Sequence, residues 1–241
     1  MMRWSLLLLA LSLSLPAAAQ TAPPAPPAQP ARTAKDLNTE GFRLYQAGKY
    51  PEALEKFQAA TQKDPKHALA QYNVAATLGV LRKQGKVCEY EAYPSTILEY
   101  LTASVRLDPK RLKRAKEDPD LDPIRETVGW QRLLGRSPTR AADVPVILRD
   151  VKWYGPGVGV YGTLVKLRFE AKDKVVLWKR TPQDEGPPKE EEITGTYAVK
   201  GVKVVVKFPG QQLDTGSINT EGVLTFKALG SFYDFPSECE A

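Results

Sequence analysis

The stretch from Gly41 to Pro65, GFRLYQAGKYPEALEKFQAATQKDP, decides the fold of the N-terminal half. Ala53, Leu54, Phe57 and Ala60 recur at the three-and-four spacing of one helix face. Leu37, Gly41 and Leu44 make a similar face upstream. Gly48 and Tyr50 interrupt the pattern between the two runs, and Asp64-Pro65 ends the second. Two helices of about 14 residues around a glycine turn predict a helical hairpin, with small residues where the helices approach closely.

Seven of these positions, Gly41, Gly48, Tyr50, Ala53, Phe57, Ala60 and Pro65, resemble in register the small, aromatic and proline signature of the tetratricopeptide repeat (TPR). Leu37 and Leu44 stand where that family carries an aromatic residue and a tyrosine. A second repeat is expected from Ala68, and Tyr72-Asn73-Val74-Ala75 agrees with it. Its closing proline, Pro109, comes about ten residues later than the family's 34-residue period requires. The extra length falls between Arg82 and Pro94 and reads as an enlarged turn. The second helix of this repeat, Ser95 to Arg106, has Ile97 where the family prefers alanine. The segment Asp118–Arg125, followed by Trp130, Leu133 and Leu134, resembles a degenerate closing element. A repeat stack needs such a cap, because its last apolar face would otherwise meet water.

The resemblance implies a concave groove that binds a protein or peptide, and no catalysis. By register Asn38, Phe42, Tyr45 and Tyr72 would line the groove, although packing between helices is an equally simple use for them. Asn73 matches a TPR asparagine that chaperone-type repeats use to hold a C-terminal carboxylate. The clamp's basic set is not reproduced, since its lysine and asparagine positions are Asn38 and Phe42. No carboxylate clamp is expected.

Outside residues 34–136 the chain changes character. Met1-Met2-Arg3, an apolar run from Trp4 to Leu15 and a small-residue site at Ala17-Ala18-Ala19 read as a signal peptide over 1–19. The run is shorter than the roughly 20 residues a bilayer span needs, so no transmembrane segment is expected after cleavage. Residues 20–33 are mostly Ala and Pro and read as a semi-rigid spacer. The mature chain is therefore expected to be exported, either periplasmic or secreted.

From 144 to 241 the period becomes two. Val165, Leu167 and Phe169 alternate with Lys166, Arg168 and Glu170, and Val202, Val204, Val206 and Phe208 do the same around lysines. Further strands are expected over Val144–Trp153, Lys174–Arg180, Glu192–Val199, Leu213–Ile218 and Val223–Ala228. Short polar turns between them predict an antiparallel meander that closes, or nearly closes, into a barrel. Its rhythm is similar to small lipocalin-like sheets. The fold class expected for the whole chain is α+β, TPR-like hairpins followed by this sheet. Gly155–Gly159 reads as a turn and not a phosphate loop, because no Lys-Ser/Thr and no helix follow it. Glu190-Glu191-Glu192 reads as a charged loop edge.

The formal net charge is +6, and the basic excess lies in the helical half, densest at Lys110–Lys116. A solvated helix face accounts for that run, and no nucleic-acid partner is expected. One histidine, His67, and two cysteines exclude a His-rich metal site and a multi-cysteine zinc cluster. No poised nucleophile or base is evident, so the expectation is a non-enzyme without metal or cofactor. A small apolar ligand inside the barrel is the alternative to a protein-binding adaptor. Cys88, in the insertion, and Cys239, near the C-terminal end, are expected to pair within the chain, since an exported protein matures where thiols oxidise. A bond between chains or two free thiols are the alternatives.

Overall fold

The fold is that of a computed structural model in which residues 32–155, 162–236, 238 and 239 are described. The expected signal peptide, nearly all of the spacer and most of the Gly155–Gly159 turn lie outside those residues.

The first hairpin forms as its sequence predicts. Helix α1 (Ala34–Gln46) starts at a capping box: Thr33 accepts from the Asp36 backbone N–H, and the Asp36 carboxylate accepts from that of Thr33. Such a cap is worth about 1 kcal/mol. The Thr33 hydroxyl, which also donates to Asp36 Oδ2 at 2.7 Å, and then the Thr33 N–H hold the Asp36 carboxyl below its ordinary range. Gly48, at φ +73°, turns the chain into α2 (Tyr50–Lys63), which carries Pro51 in its first turn. A Cβ on Gly41 would lie 2.8 Å from the Phe57 ring, so the α1–α2 approach requires glycine there. Helix α3 (Ala68–Lys83) begins at His67, whose Nδ1 accepts from the Ala70 N–H at 3.1 Å. The insertion folds into a single turn, α4 (Val87–Tyr90), ahead of α5 (Pro94–Leu107). Then come α6 (Arg111–Glu117), a 3-10 segment (Pro119–Ile124) and α7 (Val128–Leu133). Phe57, Tyr72, Leu78, Leu81, Ile97, Leu101, Leu121 and Ile124 form the helical core.

Residues expected to open the sheet do otherwise. Val144–Asp150 is a helix, α8, and of the expected strand only Trp153–Tyr154 pairs in the sheet, as β1. Pro145 sits in the first turn of α8, where its missing N–H costs nothing. Val144, Ile147 and Leu148 then present one fully buried face to the sheet core. In a strand these side chains would alternate between faces and Pro145 would remove a ladder hydrogen bond.

Seven further strands follow: β2 (Leu164–Phe169), β3 (Lys174–Thr181), β4 (Lys189–Lys200), β5 (Lys203–Lys207), β6 (Asp214–Ile218), β7 (Leu224–Phe226) and β8 (Gly230–Phe232). Each pairs antiparallel with the next. The first and last strands are joined at Tyr154 and Tyr233, which exchange backbone bonds of 2.8 and 2.7 Å, so the sheet is nearly closed. The interior is filled by large side chains, among them Trp153, Phe169, Tyr197, Phe208, Phe226 and Phe232. Glu190–Glu192 is part of β4 and not a loop edge. Glu190 and Glu191 lie opposite Arg180 and Lys179, and opposite charges across strands offset the weak strand preference of glutamate.

From Arg32 onward the chain is one compact unit. Residues beyond β8 tie the sheet to the helices. The buried Asp234 accepts from the Val128 N–H at 2.7 Å. Glu238 makes a two-pronged pair with Arg82, both bonds at 2.6 Å. The sulfurs of Cys239 and Cys88 are at bonding distance, 2.01 Å.

Candidate functional site

The residues singled out for a groove come together on the surface shared by α1 and α3, and most of them are engaged there. Asn38 and Asn73 are both buried and face one another, Asn73 Nδ2 donating to Asn38 Oδ1 at 2.9 Å. They form an amide pair between α1 and α3. Burying two amides without that bond would cost several times what the bond contributes.

Tyr45 and Tyr72 point at the closing segment. The Tyr72 hydroxyl donates to Asp118 Oδ2 at 2.7 Å, and the Tyr45 hydroxyl donates to Asp120 Oδ2. Burial, then the acceptor carboxylate, raises both phenol pKa values, so both hydroxyls remain donors throughout the neutral range. Lys83 adds a bond to the Pro119 carbonyl at 3.1 Å and one to Asp120 at 3.3 Å. Arg114 lies 5.1 Å from the centre of the Tyr72 ring. Gly79 makes the approach possible: a Cβ there would fall 1.9 Å from the Asp120 carbonyl oxygen. Leu121 and Ile124, fully buried, anchor the segment in the core.

Asp118-Pro119-Asp120 thus lies where a peptide ligand would meet Tyr45 and Tyr72. A small pocket of about 100 Å³ remains beside it, with Phe42, Tyr72, Asn73 and Arg114 among its walls. Phe42 is the one member of the expected set that stays exposed, at 43%. Sequence reasoning identified the tyrosines but not their acceptors. The available signal was that buried phenols need partners, together with the run of acids at Asp118, Asp120 and Asp122.

Two other features have structural uses. His67 caps α3. In the basic run, Arg111 pairs with Asp108 at 3.3 Å and Arg114 stacks on Tyr72. Among the described residues no group of His, Cys, Asp and Glu is placed to hold a metal ion, and no helix is long and apolar enough to cross a membrane.

Residues 41–79 match the family model of the TPR repeat. The matched span runs from Gly41 in α1 through α2 to Gly79 in α3, the three helices that carry the residues above. No curated protein matches the chain.

Proposed function

We propose that this chain is an exported, non-catalytic TPR adaptor that holds a protein or peptide partner at the rim of its first helical hairpin. The observation that carries this reading is Phe42. It stands 43% exposed beside a pocket of about 100 Å³, on a hairpin that matches the TPR repeat. A pocket of that size takes one side chain, so the partner anchors there with a single residue and makes its remaining contacts on the surface around it. Export is supported by the basic start, apolar run and small-residue site at the N-terminus, and by the cysteine pair. The non-catalytic reading is supported by the engagement of the single histidine as a helix cap. A ligand inside the barrel is the less favoured alternative, because the interior positions are taken by side chains such as Trp153, Tyr197 and Phe208.

Photo-crosslinking from position 42 identifies the partner, and quantitative capture of it by Phe42→Ala tests the reading. Capture should fall about tenfold with an unchanged melting temperature, as for loss of an interface anchor. Unchanged capture would count against the rim as the contact.

A further inference from the structure

The outer face of the sheet carries a cross-strand row that barrel closure does not require. Tyr154 on β1 lies opposite Lys166 on β2, Lys166 lies opposite Trp178 on β3, and Trp178 lies opposite Glu192 on β4. Residues directly opposite share a face. Trp153, Leu167 and Leu177 form the neighbouring row and point into the core. The row therefore reads aromatic, cation, aromatic, anion. The Lys166 ammonium sits 4.7 Å from the Trp178 ring centre and 5.5 Å from that of Tyr154. Contacts with two rings hold an exposed lysine in one place, which lowers the ordering cost for any ligand that meets it.

Beside this row is a pocket of about 420 Å³, floored in part by Val151 and Val176, which are buried. That volume suits a small organic molecule. Four cations line it, Arg149, Lys152, Lys166 and Arg168, against three carboxylates, Glu126, Asp150 and Glu192. Glu126 pairs with Lys152 at 2.7 Å, Asp150 with Arg136, outside the walls, at 2.9 Å, and Glu192 lies 3.9 Å from Arg168, which it shares with Glu170 at 2.7 Å. Among the described residues Lys166 and Arg149 make no salt bridge.

We infer that this pocket binds a small monoanion with an apolar body, an aryl or short aliphatic carboxylate. Its carboxylate meets Lys166 and Arg149, and its body lies over Val176 against Trp178. One net positive charge on the walls matches one negative charge on the ligand. A dianion would meet the carboxylates already in the pocket, and a neutral analogue would leave Lys166 without an anion. The site is separate from the α1–α3 surface and does not depend on the adaptor reading.

Calorimetric titration of the full chain with phenylacetate, phenylacetamide and inorganic phosphate tests the inference. Phenylacetate should bind saturably, and phenylacetamide and phosphate at least about tenfold more weakly. Lys166→Gln and Arg149→Gln should each weaken phenylacetate about tenfold. Both residues are exposed, so circular dichroism should be unchanged. Phenylacetate binding should also weaken as salt rises. Absence of saturable phenylacetate binding, equal binding of the amide or of phosphate, or indifference to both substitutions would overturn the inference.

Discussion

The Tyr72 hydroxyl reaches Asp118 Oδ2 at 2.7 Å, joining α3 to a segment 46 residues further along the chain. The bond ties a groove residue to the element that closes the helical stack. Tyr45 does the same for Asp120 from α1. The two hydroxyls hold the closing segment against α1 and α3. Tyr72→Phe should lower the unfolding free energy by about 2 kcal/mol, the net worth of a hydrogen bond to a charged acceptor. Tyr45→Phe should act similarly, and the double variant should lose more than either single one. Chemical denaturation measures this, and partner capture at Phe42 should be nearly unchanged in the single variants. A variant that kept full stability but lost capture would show that the hydroxyl meets the partner instead.

Reduction should loosen the chain without dissolving its secondary structure. The Cys88–Cys239 bond closes a span of 151 residues, and the chain-entropy relation gives about 5 kcal/mol for such a loop, less any native strain. The Arg82–Glu238 pair and the Asp234–Val128 bond remain as noncovalent ties. Urea unfolding with and without a phosphine reductant should therefore give a clearly lower midpoint for the reduced chain, and Cys88→Ser should reproduce it. Coincident unfolding curves would show that the cysteines do not brace the fold.

Asp234 should make stability depend on pH in the acid range. Burial raises its carboxyl above the ordinary aspartate value, against the opposing pull of the Val128 N–H. The folded chain thus takes up this proton more readily than the unfolded chain. The resulting stabilisation is complete below the ordinary aspartate pKa and is lost as pH rises through the raised folded value. Asp234→Asn keeps an oxygen acceptor for Val128 and removes the ionisation. Its melting temperature should gain on the wild type as pH rises from about 4 to about 7. A difference that stayed flat across that range would exclude Asp234 as its source.

Local patterns carried much of the architecture. The first hairpin was legible from Gly41 to Pro65, because glycine, alanine and aromatic positions on a helix face record how closely two adjacent helices approach. The alternation around Val165–Phe169 and Val202–Phe208 likewise marked strands, since side-chain direction has a period of two. The same logic failed at Val144–Leu148, where a short apolar run fits either period and only burial against the sheet core decides for the helix. It also left Glu190 and Glu191 outside the strand, where they face Arg180 and Lys179 of β3.

What the sequence by itself determined was the order of a TPR-like helical part and an antiparallel sheet, together with residues suited to pairing, such as the two cysteines. Only the tertiary structure decided where those residues point. It buried Asn38 against Asn73, turned Tyr45 and Tyr72 onto Asp120 and Asp118, left Phe42 exposed, and set Lys166 between Tyr154 and Trp178. The reason is physical. Periodicity is written within a few residues, by the rise and turn of one element. Contacts between elements depend on how whole faces pack and on strand register, to which residues distant in the chain contribute together.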